Sequence, residues 1–129
     1  MIGLFGIFGR AESLKALDQA LREFDVHPRA VPEAVKLAAL KLLQKAPGAS
    51  AKLNNADYAR ASELLSYTIL GHDQFVASNS LGVADRVERR LDAAIAAGDD
   101  LDANLILLAL HSGIIHTTIA DRFDIETSE

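Results

Sequence analysis

Apolar residues recur along most of this chain at the three- and four-residue spacing of an α-helix, which places them on one side of the helix. The first such set is Leu14, Leu17, Leu21 and Phe24. Charged side chains between these positions fall mainly on the opposite side. The pattern predicts an amphipathic helix over residues 11–24 whose apolar side packs in a helical bundle.

Proline and glycine mark both ends of the next predicted helix. Pro32 suits a first helical turn, where its missing N–H has no partner to lose, and Pro47 with Gly48 ends the helix. Leucine, valine and alanine occupy a wide arc of residues 32–46, wider than a single buried side needs. We therefore expect other elements to contact this helix from two directions, and we expect a loop over residues 47–55.

Capping residues define two further helices. Asn54 or Asn55 can cap a third helix, which ends before Gly71, a residue suited to the left-handed conformation at a helix C-terminus. After Gly71, we expect residues 73–79 to form a short helical turn. A fourth helix is predicted over residues 80–98, with an apolar side and a mixed-charge outer side.

The most apolar stretch lies near the C-terminus. Asp99 or Asp100 can cap a helix there, and the run 105–110 is apolar on every side. A helix without a polar side is usually buried, so we expect this helix to be the central element of the fold. Gly113 is expected to interrupt it, and residues 114–124 to continue as a further helical piece.

No segment alternates apolar and polar residues with the period of two that a half-buried strand requires. The predicted fold is therefore all-α, a compact bundle of five to six helices with a buried central helix near the C-terminus. A chain of 129 residues fits one domain, since domains commonly contain about 100–150 residues. We expect residues 1–129 to form a single helical domain with a frayed tail at 126–129.

The N-terminal segment 1–9, MIGLFGIFG, places large apolar side chains between three glycines. Glycine disfavours a stable helix here. The side chains of Leu4, Phe5, Ile7 and Phe8 are expected to avoid water by packing on the domain itself or across a dimer interface. Transient membrane contact and a disordered tail are the alternatives that we favour less.

The composition excludes several kinds of site. The chain has no cysteine, and therefore no disulfide, thiolate metal ligand or cysteine nucleophile. Its net charge of −5 argues against binding to nucleic acid, because such binding depends on neutralising phosphates. No run approaches the roughly 20 apolar residues of a transmembrane helix, and residues 1–9 lack the basic start of a secretory signal. We expect a cytoplasmic protein.

Four histidines are the first candidates for chemistry. His111 and His116 are five residues apart, about 140° around a helix, which is poor spacing for a shared metal ion. His27 and His72 lie at predicted helix ends, where an imidazole can hydrogen-bond a free carbonyl. We predict no metal site, and we expect His27 and His72 to act as caps.

The remaining motifs are weak. Asp99, Asp100 and Asp102 lack the alternating ligands of a calcium loop, and capping of the following helix explains them. The chain contains no phosphate-binding loop and no serine at the sharp turn of a hydrolase. We therefore predict no catalytic residues and no cofactor.

Two functions agree with this sequence. The first is a non-catalytic helical interaction module that associates with itself or with another protein, and Leu4, Phe5, Ile7 and Phe8 would form its interface. The alternative is a small-molecule-binding helical protein or enzyme with a pocket between helices near His111 and His116, where Tyr67 would also contribute. A connected histidine–carboxylate pair lining a cavity would favour the alternative.

Overall fold

Seven α-helices and one short 3₁₀ helix make up the part of the chain that the structure describes. The structure is a computed structural model that covers residues 2–46 and 53–122, with the backbone alone for 2–11 and 122. The helices are α1 (Ile2–Glu23), α2 (Glu33–Lys45), α3 (Asn55–Leu70), α4 (His72–Ser78), α5 (Leu81–Ala97), α6 (Leu101–His111) and α7 (Thr117–Arg122), with the 3₁₀ helix at Pro28–Ala30.

The all-α prediction is confirmed for these residues, which contain no strand. The predicted number of helices was too low, because two short helices separate from their neighbours. Residues 73–79, expected as a short helical turn, largely fall in the two-turn helix α4, which ends at Ser78, and α7 is distinct from α6. Gly113, with a φ of 75°, follows the end of α6 and allows the chain to turn there.

Helix α1 begins at Ile2, and the prediction that glycines would keep residues 1–9 out of a helix was wrong for 2–9. Each glycine costs a helix only about 1 kcal/mol, and extending an existing helix gains one hydrogen bond per residue. The predicted interface side chains Leu4, Phe5, Ile7 and Phe8 lie outside the described part of the chain, which gives only their backbone.

The end of α1 is held by a left-handed residue. Asp25 has a φ of 66°, and the backbone N–H of Val26 donates to the carbonyl of Leu21 at 3.0 Å. This is the usual C-terminal capping arrangement, in which glycine is the commoner residue.

The predicted loop 47–55 lies mostly outside the described residues, but Asn54 caps α3 as expected, and its side chain accepts from the N–H of Asp57 at 3.0 Å.

Helix α3 is the central element, since it packs against α1, α2, α4, α5 and α6, and residues 61–68 are all buried. The prediction that the apolar run 105–110 forms the centre was wrong. That run lies in α6, which packs against α2, α3 and α5 but leaves Leu107 41% exposed. The apolar pattern missed α3 because its buried side includes polar residues such as Glu63.

Polar side chains also cap the starts of α5 and α6. Ser80 accepts from the N–H of Val83 at the start of α5, and Asp100 accepts from the N–H of Ala103 at the start of α6. Gly98 ends α5 in the left-handed conformation.

Helix α2 is contacted from more than one direction, as its wide apolar arc predicted, because α1, α3 and α6 all pack against it. Within the described residues, no helix has the length and apolar character needed to cross a membrane.

Candidate functional site

Gly71 makes the sharp junction between α3 and α4. Its φ of 83° and ψ of 163° lie in a region that is almost restricted to glycine. A Cβ atom at this position would lie 3.0 Å from Oγ1 of Thr118 and 3.1 Å from the ring of His116. The junction therefore requires glycine for two reasons, its backbone angles and the close approach of the segment that begins α7.

A backbone hydrogen bond fixes that segment against α3. The N–H of His116 donates to the carbonyl of Thr68 at 2.6 Å. Thr68 lies in the last turn of α3, where carbonyls lack partners within the helix. Nδ1 of His116 also accepts from the N–H of Thr118 at 3.1 Å, so its side chain caps α7. Residues far apart in sequence thus meet at one end of α3.

An open cleft with a volume of about 530 Å³ lies at this meeting point. Residues 70–74 line one wall, and His116 and Thr118 line the other. Asp73 is the one residue of this lining with a formal charge at neutral pH. The described lining is therefore mostly neutral and polar, and it includes two imidazoles, those of His72 and His116.

The ring of His72 is anchored by two buried or partly buried groups. Its Nδ1 lies 2.9 Å from the hydroxyl of Tyr67 and 3.4 Å from Oε2 of Glu88, and the Tyr67 hydroxyl donates to the same carboxylate oxygen at 3.3 Å. Tyr67 is fully buried and packs edge-on against Phe75 at 5.2 Å between ring centroids. Three helices, α3, α4 and α5, thus hold one imidazole at the cleft.

The structure brings together two of the three predicted pocket residues. His116 lines the cleft, and Tyr67 reaches it through His72. His111 does not take part, because it is exposed in the last turn of α6. His111 is not part of the described lining of this cleft, and its role in a pocket stays a prediction. The 140° separation of His111 and His116 on a helix does not apply, since α6 ends between them.

Sequence reasoning missed the role of His72. It was expected to cap a helix end, but its ring bonds the side chains of Tyr67 and Glu88. Tyr67 and His72 are five residues apart, a spacing that does not predict a contact on one helix. They meet because the chain changes direction at Gly71, between α3 and α4. Glu88 lies on a different helix. His27, in contrast, caps a helix end as predicted, but its Nδ1 accepts from the N–H of Arg29 rather than bonding a carbonyl.

A second polar cluster lies between α3, α5 and α6. Arg90 bonds Asp102 twice, at 3.1 and 2.9 Å, and bonds Oε1 of Glu63 at 2.8 Å. Arg60 and Arg86 complete the cluster through Asp102 and Glu63 respectively. Glu63 and Asp102 are both 7% exposed, so each buried carboxylate has two arginine partners. This network joins three helices, and arginines bond every oxygen of the two carboxylates.

The charges in this network shift two pKa values. Burial alone would raise the pKa of Asp102, but the hydrogen bonds and positive charges of Arg90 and Arg60 outweigh it and hold that pKa below its ordinary value. Burial would lower the pKa of Arg90, but Asp102 and Glu63 raise it. Asp99 or Asp100 was expected to cap α6, and capping and the helix dipole were expected to account for the cluster that includes Asp102. Asp100 is the cap, and Asp102 instead bonds Arg60 and Arg90.

Other chemistry is limited. Among the described residues, no three side chains of histidine, aspartate or glutamate lie together in a way that could hold a metal ion. The Thr118 hydroxyl lies 2.7 Å from Nδ1 of His116, but that nitrogen also accepts the Thr118 backbone N–H, so the contact belongs to the helix cap.

Comparison of the chain with models of protein families, with curated proteins and with solved structures found no match in any of the three.

Proposed function

We propose that this protein binds a small molecule in the open cleft between the α3–α4 junction and the start of α7. The observation that supports this most strongly is the anchoring of His72, which Tyr67 and Glu88 hold at a cleft that His116 lines from the other side. The cleft volume of about 530 Å³ falls within the range of roughly 300–1,000 Å³ that is typical of small-molecule sites.

Anchoring distinguishes His72 from an ordinary surface histidine. A histidine that serves only as a cap needs one backbone partner, as His27 shows. His72 instead uses a fully buried tyrosine and a carboxylate from another helix. Such partners fix the orientation of an imidazole, and this is the usual requirement of a ring that must meet a ligand in one geometry.

We propose binding without catalysis, in the cytoplasm. The cleft lining supplies imidazole, amide and hydroxyl groups that can orient a ligand. Thr118 carries the one hydroxyl in the described lining, and its contact with His116 is part of the α7 cap. The arrangement therefore favours recognition over covalent chemistry.

The test combines native mass spectrometry of the purified full chain with NMR of its four histidine rings. We expect a co-purified small molecule, or a member of a metabolite mixture, to shift the ring signals of His72 and His116. His27 and His111 serve as internal controls, since neither lines the cleft. If no added or co-purified molecule shifts the first pair, or if all four rings respond equally, the proposal fails.

Self-association is a second candidate function, supported by an exposed apolar side chain on α6 and by the apolar sequence of residues 2–9. Leu107 is 41% exposed on α6, the most apolar helix of the described chain. In addition, the helical backbone of α1 continues through residues 2–9, where Leu4, Phe5, Ile7 and Phe8 are closely spaced. Apolar surface of this kind commonly marks a contact between proteins. The partner would be a second copy of this chain or another protein.

Sedimentation of the full chain and of a variant that lacks residues 2–9 tests this second function. We expect the full chain to form a dimer and the shortened chain to be a monomer, because the deletion removes four large apolar side chains. A full chain that sediments as a monomer at all concentrations excludes self-association. Flotation of the same two proteins with liposomes tests whether residues 1–9 contact membranes instead.

A further inference from the structure

The two imidazoles of the cleft hold their protons on different ring nitrogens, and His116 shows this most directly. The backbone N–H of Thr118 can only donate, and it lies 3.1 Å from Nδ1 of His116. Nδ1 must therefore present a lone pair. A neutral imidazole carries one proton, so that of His116 lies on Nε2, which is then a hydrogen-bond donor.

His72 has the opposite arrangement. The Glu88 carboxylate only accepts hydrogen bonds, and the single proton of the Tyr67 hydroxyl is donated to its Oε2. The contact of 2.9 Å between the Tyr67 hydroxyl and Nδ1 of His72 therefore needs a proton from the ring. If Nδ1 lacked that proton, it would face the carboxylate oxygen at 3.4 Å as a second acceptor. The proton of neutral His72 thus lies on Nδ1, and Nε2 is an acceptor.

In both rings, Nδ1 is used by the protein, and Nε2 is the nitrogen left for a ligand. Among the described residues, no protein group bonds Nε2 of His72 or of His116. One wall of the cleft therefore supplies an acceptor and the other supplies a donor. Asp73, the charged residue of the described lining, disfavours an anion.

We infer that the cleft recognises an uncharged carboxamide-type group, whose N–H donates to Nε2 of His72 while its carbonyl accepts from Nε2–H of His116. This inference rests on the proposed function, namely that the cleft binds a small molecule. A carboxylate can only accept and leaves the lone pair of His72 unmatched. An amidinium can only donate and opposes the N–H of His116.

The first test needs no ligand. In ¹⁵N NMR of the full chain at about pH 8, where unperturbed imidazoles are neutral, protonated and unprotonated ring nitrogens give separate signals. We expect the proton on Nδ1 in His72 and on Nε2 in His116. The same tautomer in both rings overturns the inference and leaves the proposed binding function standing, so the two failures are distinguishable.

The second test uses three probes with the same ring, namely benzamide, benzoate and benzamidine. We expect benzamide to bind at least about tenfold more tightly than either charged probe, because each charged probe leaves one imidazole nitrogen unmatched. Its binding should shift the rings of His72 and His116 and leave His27 and His111 unchanged. Equal or tighter binding of a charged probe overturns the ligand class alone. The absence of binding by all three probes also overturns the proposed ligand class.

Two variants separate recognition from folding. His116→Asn keeps a side chain that caps a helix well but removes the Nε2–H donor, so we expect about a tenfold loss of benzamide affinity with an unchanged melting temperature. His72→Asn keeps an amide donor near Tyr67 but has no atom at the position of Nε2, the acceptor for the ligand. We expect the same tenfold loss of benzamide affinity. The matched control His111→Asn should bind benzamide like the unaltered chain. Unchanged affinity in both cleft variants, or an equal loss in the control, overturns the inference.

Discussion

Two glycines with nearly the same φ differ in ψ, which is 163° at Gly71 and −17° at Gly98, and in their surroundings. Gly71 has a φ of 83° and would place a Cβ within 3.1 Å of His116 and Thr118. Gly98 has a φ of 82°, and nothing lies within 4 Å of its Cβ position. The two positions therefore share the cost of a positive φ, and Gly71 adds two further costs, a ψ of 163° that other residues avoid and the collision with the α7 segment. That difference can be measured.

We expect Gly98→Ala to destabilise the fold by about 1 kcal/mol, the cost of a left-handed non-glycine residue. Gly71→Ala should cost more, about 2–3 kcal/mol, since its Cβ also displaces His116 and Thr118. Urea unfolding of both variants measures the difference, and Gly98→Ala serves as the control. Equal losses would show that the α7 segment does not press against the junction.

At the scale of elements, hydrogen-bonding side chains joined the helices in ways that apolar spacing does not reveal. The sequence predicted a cap at Asn54 or Asn55 and at Asp99 or Asp100, and the structure places the caps at Asn54 and Asp100, since capping depends on neighbours three residues away. It did not predict that α3 is central, because Glu63 is buried against arginines more than 20 residues away. Long-range pairing of this kind leaves no periodic signal in a single sequence.

The candidate site was predictable to a similar extent. Tyr67 and His116 were identified as pocket residues, although the expected companion was His111. His72 and Glu88 were not grouped with them, because their contact depends on how α4 and α5 pack against α3. The reversal at Gly71 that makes this contact possible was predicted as a helix end, but the direction of the following helix was not.

The Arg90–Asp102 pair should make the stability of the protein depend on acid pH. The pKa of Asp102 is lowered in the folded state, so its contribution is fully present above the ordinary value of 3.8 and is lost as pH falls through the folded value. We expect Asp102→Asn to cost about 2–3 kcal/mol near neutral pH, since Arg90 keeps Glu63 as a partner.

Urea unfolding at neutral pH and below the ordinary pKa of Asp102 measures this dependence. The difference between the unaltered chain and Asp102→Asn should shrink in acid, because the carboxyl is then increasingly protonated. Asp92→Asn, an exposed position on α5, is the control and should change little at either pH. A difference that stays constant with pH would contradict the assigned role of Asp102.

At the scale of the whole molecule, the proposed site depends on the docking of one short helix. α7 contributes two buried side chains, Ile119 and Ala120, and its preceding residue His116 bonds Thr68. The cleft loses a wall when α7 moves away. We therefore expect the proposed ligand, by contacting both walls, to stabilise the docked state of α7.

Ile119→Ala should weaken this docking, because the side chain is fully buried. We expect faster hydrogen exchange at the amides of residues 119–122 and weaker benzamide binding, while residues 61–68 of α3 keep their protection. Ile95→Ala, at a position that is 42% exposed, should change neither measurement. Loss of protection throughout α3 would indicate that α7 unfolds together with the centre of the bundle.

The arginine network also has a consequence for the order of folding. Arg90 pairs with Asp102 across 12 residues of chain and with Glu63 across 27. Closing the shorter loop loses less chain entropy, so the α5–α6 hairpin can assemble before α3 arrives. Until Glu63 reaches Arg90, the guanidinium has only the carboxylate of Asp102 as an ionic partner within this network. The central helix of the finished fold would then be among the last to be locked into place, and its polar buried side would select the correct register at that step.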